Sequence, residues 1–108
     1  MTKSVLVVED STSVRKMIEF ALKARGYTAT SAEDGQVALE NLEREAFDLV
    51  ILDINMPRLD GLSLLKIIRE RPEWKAMPVM MLTTEGQAAD RDQAMALGAT
   101  AYIVKPFK

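Results

Sequence analysis

The sequence predicts an α/β domain built on a parallel sheet with helices on both faces. Three observations carry that prediction. Apolar runs recur at VLVV (5–8), LVIL (49–52), VMML (79–82) and AYIV (101–104), and runs without polar alternation suit strands covered on both sides. Stretches with helical spacing of apolar residues alternate with these runs. The connections between them are short, as right-handed crossovers between parallel strands require.

Taken in order, VLVV is a first strand that ends on Glu9 and Asp10. STSVRKMIEFALKARG then spaces Val14, Met17, Ile18, Ala21 and Leu22 as one helical face, with Ser11 or Thr12 as N-cap and Gly26 as a stop. YTATSA (27–32) is short and weakly hydrophobic, an edge strand. GQVALENLERE (35–45) places Val37, Ala38 and Leu42 on a second helical face. FDLVILDI (47–54) is apolar throughout and belongs in mid-sheet. NMPRLDG has loop composition, and LSLLKIIRERP carries Leu64, Leu65, Ile67 and Ile68 on a third helix stopped near Pro72. MPVMMLT is the fourth strand. QAADRDQAMALGA (87–99) reads as a helix whose apolar residues are mostly Ala, so it has little area to bury and should be the loosest of the four. TAYIVKPFK supplies the fifth strand.

Sites in such sheets form beyond the carboxyl ends of the strands. Glu9, Asp10, Asp53, Thr83 and Lys105 all follow or end strands, so the fold should deliver them to one edge.

Composition narrows the chemistry. A length of 108 residues with 48% hydrophobic content fits one domain with a small core. The net charge of -2 offers no broad attraction to nucleic-acid phosphates or anionic lipid, so direct nucleic-acid binding is disfavoured. The absence of both Cys and His excludes disulfides, thiolate or imidazole metal ligands, and Ser/His or Cys/His nucleophile pairs. No apolar run approaches the ~20 residues that span a bilayer, and no signal-like segment opens the chain, so a cytoplasmic protein is expected.

Three carboxylates held close repel one another, each pair by ~4 kcal/mol at 4 Å and an effective dielectric near 20. An all-oxygen set suits a hard dication, and Mg2+ fits better than Ca2+ a small site that retains waters. Asp53 follows the most apolar strand and faces a hydroxyl (Thr83) and a cation (Lys105), partners suited to phosphoryl oxygens, which makes it the candidate nucleophile. Plainer roles stay open for each: Asp10 as a helix cap, Asp53 as a loop-opening residue, Lys105 as a solvated lysine, Thr83 as a strand terminator.

VLVVEDS, LVILDINMPRLDG, LTTEGQ and YIVKPF, in this order and spacing, resemble the receiver domains of two-component response regulators across essentially the whole chain. DSTSVRKMI, DGQVALENL and LTTE look closest to single-domain chemotaxis regulators of the CheY type. The resemblance implies a flavodoxin-like, doubly wound five-stranded sheet of order 2-1-3-4-5. It implies that Asp53 accepts a phosphoryl group from a histidine kinase phosphohistidine. Asp10, Asp53 and the backbone carbonyl of Asn55 are then Mg2+ ligands, with Glu9 acting directly or through water. Lys105 pairs with the phosphoryl group, Thr83 moves to hydrogen-bond it, and Tyr102 changes rotamer in step. Asn55 and Glu85 border the path of the water that hydrolyses the phosphoryl group. The implied role is a phosphorelay switch for a downstream effector protein that this sequence does not name.

Two departures from the family pattern stand out. Thr84 follows the switch threonine where chemotaxis members often have a smaller residue. Receiver domains also carry a fifth helix after KPF, absent from the chain as given, which stops at Lys108. A bare 108-residue monomer is therefore expected to be marginal, and to form a homodimer, exchange elements between protomers, or pack against a partner. Other readings are an aspartyl-phosphate phosphatase of the haloacid-dehalogenase type and a degenerate binding module. The first wants a second Asp where Asn55 stands, and the second is opposed by the intact acidic pair, Thr83 and Lys105. Flavin binding has little support at 6% aromatic content.

Overall fold

The structure, a computed structural model, describes residues 3–54, 59–83 and 88–104, with positions 83, 88–91, 103 and 104 described by their backbone. The elements alternate as expected: β1 (Ser4–Val8), α1 (Thr12–Ala24), β2 (Thr28–Ala32), α2 (Gly35–Arg44), β3 (Leu49–Asp53), α3 (Gly61–Glu70), β4 (Val79–Thr83), α4 (Ala88–Ala96) and β5 (Ala101–Val104). All neighbouring strands pair in parallel. Their order is β2-β1-β3-β4-β5, the flavodoxin-like order. β3 is central and β2 lies at an edge, as its weak hydrophobicity suggested.

Among the described residues the two sheet faces are unequal. One carries Leu6, Val8, Val50, Leu52, Val79 and Met81 into a large core closed by Ala38 and Leu42 of α2, by Leu64, Leu65 and Ile68 of α3, and by Ala94 of α4. The other presents Val5, Val7, Ile51 and Leu82 to α1, whose only fully buried residue is Ile18. Val14 and Leu22, one turn to either side, are partly buried against the same cluster. The predicted α1 face is therefore too wide: Met17 is 48% exposed and Ala21 is also exposed. At 100° per residue the strip Val14-Ile18-Leu22 is narrow, and Phe20 points almost opposite to it, 78% exposed.

Local chemistry explains the boundaries. Ser11 rather than Thr12 or Asp10 caps α1, its hydroxyl accepting the Val14 N–H at 3.4 Å. Gly26, at φ 86°, lets the chain leave α1 in the left-handed region. Asp34 and Asp60 cap α2 and α3 by accepting from Val37 N–H (2.9 Å) and Ser63 N–H (2.8 Å). Among the described side chains of α4 only Ala94 is buried, and Met95 beside it is 46% exposed. Polar contacts hold the turn that follows the helix. Arg69 Nε donates to Gly98 O at 2.8 Å and Nη1 to Met77 O at 2.7 Å, tying the α4–β5 turn to the approach to β4. Burial pushes the Arg69 guanidinium below its ordinary value.

The large core dominates stability. Leu65 is fully buried in it, so Leu65→Ala should cost about 2–5 kcal/mol, a large share of the ~5–15 kcal/mol that holds a typical domain. Urea unfolding should show a lower midpoint with an unchanged slope. A midpoint within error of the parent would mean that α3 does not close the core as described.

Candidate functional site

The sheet edge at the carboxyl ends of β1 and β3 gathers the acidic residues. Val8 lies opposite Leu52 in the β1–β3 register, so Glu9 and Asp53 follow at the same level. This is also where strand order reverses, with β2 on one side of β1 and β3 on the other, the place where doubly wound sheets open a crevice. Carboxylate oxygens of Glu9, Asp10 and Asp53 come within 4.8 Å of one another.

The three are not equivalent. Glu9 is 1% exposed and Asp53 4%, whereas Asp10 is exposed. Glu9 is woven into the turn after β1: its Oε1 accepts the Ser11 N–H at 3.2 Å, its N–H donates to Ala32 O at 3.1 Å, and its carbonyl oxygen accepts from Arg15 Nη1 at 2.8 Å. Glu9 thus holds the loop that presents Asp10. Asp53 is the last residue of β3, with Leu82 of β4 as its register partner. The bond from Ile54 N–H to Leu82 O (3.0 Å) extends the pairing one step past it. Asp53 is therefore a buried strand residue rather than a loop opener, and Asp10 does not cap α1.

The donor set fits a hard dication. Three oxygen donors converge from two adjacent strand ends, two of them buried, and one open carboxylate leaves room for retained waters. Among the described residues this is the only grouping of three such side chains.

The remaining predicted residues divide in two. Thr83 ends β4, opposite Val104 of β5, one register step beyond the level of Asp53. Tyr102, opposite Met81, is partly buried against the large core, and its hydroxyl is buried without a hydrogen-bond partner among the described residues. Asn55, Glu85 and Lys105 lie outside the described residues. Sequence reasoning missed Arg15, whose guanidinium holds the Glu9 carbonyl, and the capping Asp34 and Asp60. Each Asp stands directly before a helical apolar pattern, a readable cap signal. Nothing in the spacing of Arg15 marks it.

The family model for the response regulator receiver domain matches residues 5–108. The chain belongs to that receiver family. Among curated relatives of this receiver, the probable transcriptional regulator ycf27 of Guillardia theta is 44% identical over 105 residues, covering 97% of this chain and 40% of that protein. The chemotaxis protein CheY-3 of Vibrio cholerae is 39% identical over 104 residues, covering 95% of this chain and 80% of that protein. The chain spans 40% to 44% of the length of the transcriptional regulators it matches. Among solved structures, Vibrio cholerae CheY4 superposes with a TM-score of 0.94 at 38% identity, over 100% of this chain and 90% of that one. Response regulator Rcp1, solved in a Mn2+-bound form, gives a TM-score of 0.89 at 28% identity over 98% of this chain and 83% of that one. Receiver domains are signalling switches rather than enzymes acting on outside substrates.

Proposed function

We propose that Asp53 is the phosphoacceptor of this receiver, taking a phosphoryl group from a phosphohistidine on a partner histidine kinase. The observation that carries the reading is the convergence of Glu9, Asp10 and Asp53 carboxylates within 4.8 Å at the switch point of the sheet. An Asp53 oxygen attacks phosphorus in line, and the P–N bond to the imidazole breaks. The leaving nitrogen keeps the electron pair, and the product is an aspartyl phosphate. The barrier is lowered by orientation and by fixed charge around a group that carries its own.

Glu9, Asp10, Asp53 and the Asn55 carbonyl are the residues that would hold Mg2+. When bound, the ion supplies charge neutralisation for the phosphoryl oxygens. The Mn2+-bound form of Rcp1 supports a divalent ion here, because Mg2+ and Mn2+ share oxygen-ligand preferences. Lys105 pairs with the phosphoryl group, and Thr83 approaches to donate its hydroxyl. Tyr102 follows, exchanging a buried hydroxyl that lacks a partner among the described residues for a different rotamer. Phosphorylation then shifts the population of surface conformations that a downstream effector reads. Self-phosphorylation by small donors and self-dephosphorylation are the only chemistry assigned to the domain. Incubation with acetyl phosphate and Mg2+ tests this, since intact mass should gain one phosphoryl group and EDTA should prevent it. No gain with Mg2+ present overturns the reading.

The likeness to CheY-3 and CheY4 supports a cytoplasmic output in chemotaxis or a related two-component pathway. The likeness to ycf27 supports transcriptional output as the second reading. A deletion strain separates them: altered swimming with unchanged transcripts supports the first, and the converse supports the second.

Asn55 and Glu85 border the approach of the hydrolytic water in this reading. Bulky replacements at either should lengthen the aspartyl-phosphate lifetime by obstructing in-line attack, from seconds or minutes toward hours. Lifetimes unchanged across several such variants would remove both residues from the mechanism.

A further inference from the structure

Two Asp-Gly pairs open two helices in the same way. Asp34 caps α2 and Gly35 is its first residue; Asp60 caps α3 and Gly61 is its first. Capping accounts for the aspartates. It does not account for the glycines, which are poor helix formers, and neither is among the positive-φ glycines.

Space accounts for them. A Cβ on Gly61 would stand 2.8 Å from both the Asp53 carbonyl carbon and the Ile54 Cα, and closer still to the Asp53 carbonyl oxygen. These are backbone atoms, so no rotamer change relieves the clash. In the native arrangement Gly61 N–H donates to Ile54 O at 2.9 Å, seating the first residue of α3 on the residue that follows Asp53. Gly35 repeats the device one layer out. A Cβ there would lie 2.9 Å from Leu59 Cβ and 3.0 Å from its carbonyl carbon, and closer still to the Leu59 carbonyl oxygen. Leu59 immediately precedes the Asp60 cap, so α2 bears on the chain that leads into α3.

We propose that Gly61 is a positioning residue for the Asp53 site, with Gly35 behind it: their missing Cβ atoms let the start of α3 hold the Asp53–Ile54 peptide in place, which sets the direction in which the Asp53 carboxylate leaves the backbone toward Glu9 and Asp10. The inference rests on the proposed Mg2+-dependent phosphoacceptor function. Bringing a Gly61 Cβ from 2.8 Å out to ordinary contact at 3.4 Å requires a shift of at least 0.6 Å between the α3 start and the end of β3, and clearing the nearer Asp53 carbonyl oxygen requires more. Mg2+ takes oxygen ligands at about 2.0–2.1 Å in near-octahedral geometry and tolerates such a shift poorly. Reactions that depend on alignment lose on the order of 100-fold for about 1 Å of misplacement.

The test is Mg2+ titration by calorimetry of the parent chain, of Gly61→Ala, and of Val79→Ala, each at a temperature where circular dichroism shows it folded. Val79 is fully buried and pairs with Val50, toward the other end of the sheet from Asp53, so its truncation costs stability without touching the site. Gly61→Ala should weaken Mg2+ binding at least tenfold, with Val79→Ala within twofold of the parent. Parental affinity in folded Gly61→Ala, or an equal loss in Val79→Ala, overturns the proposal. If Gly61→Ala does not fold, Gly35→Ala carries the test: about a threefold loss supports the proposal and parental affinity overturns it. A parent that binds no Mg2+ overturns the phosphoacceptor reading, and this inference falls with it. A parent that binds beside an equally competent Gly61→Ala overturns the inference alone.

Discussion

Asp53→Asn is expected to reduce phosphoryl incorporation from acetyl phosphate below detection while the protein stays folded. The amide has the size and planarity of the carboxylate, so the end of β3 keeps its register with β4. What it loses is the anionic nucleophile, and a neutral amide oxygen does not displace a phosphoryl leaving group at a useful rate. Glu9 cannot take over, because its carboxylate accepts the Ser11 N–H in the turn after β1. Asp10 is exposed and stands on the loop rather than at a strand end, without the fixed approach that makes in-line attack fast. Intact mass after incubation with acetyl phosphate and Mg2+ reads the outcome directly. Stoichiometric labelling of Asp53→Asn would move the acceptor to another residue and undo the assignment.

The sheet was legible because its signal is hydrophobic and redundant. LVIL and VMML carry no alternation, and each became a strand covered on both faces, Leu52 and Met81 toward the large core and Ile51 and Leu82 toward α1. The strand ends were legible for the same reason, since a carboxylate directly after such a run must lie at the edge. The helix faces were less so. Periodicity assigned Met17 and Ala21 to the α1 face, yet a face read from spacing alone has no width. Among the described residues the sheet under α1 buries Val5, Val7, Ile51 and Leu82, with Leu49 and Met80 partly buried beside them, and the strip that meets them is Val14, Ile18 and Leu22. Polar bonds across long sequence separations left no pattern at all. Arg69 reaches Gly98, 29 positions away, and that bond exists only because the last turn of α3 meets the α4–β5 turn in space. The close approach of Gly61 to Asp53 was hidden for a related reason: in LDG the glycine reads as a loop residue, and only coordinates show backbone occupying the place of its Cβ.

Asp10→Asn should change the sign of an ordinary mutational effect, raising stability without metal and removing the stabilisation that metal provides. In the metal-free protein the three carboxylates stand within 4.8 Å of one another, where each fully charged pair repels by roughly 3–4 kcal/mol at an effective dielectric near 20. Asp10 is the exposed member, so solvent screens most of its share. The amide still relieves part of that repulsion, and because Ser11 rather than Asp10 caps α1 the exchange costs the helix nothing. The melting temperature in EDTA should therefore rise by about 2–5 °C. With Mg2+ at about 100 times the parental Kd, the parent gains about 2.7 kcal/mol by mass action alone. The variant, lacking one of the converging anions and the one with room for retained waters, should gain little. The two melting curves thus cross in order between EDTA and Mg2+. Glu9→Gln makes a useful contrast, because Glu9 also holds the Ser11 N–H and its replacement loosens the turn itself, so its gain in EDTA should be smaller. An Asp10→Asn protein that melts below the parent in EDTA, or that gains as much from Mg2+, would show that the three carboxylates do not act on one ion.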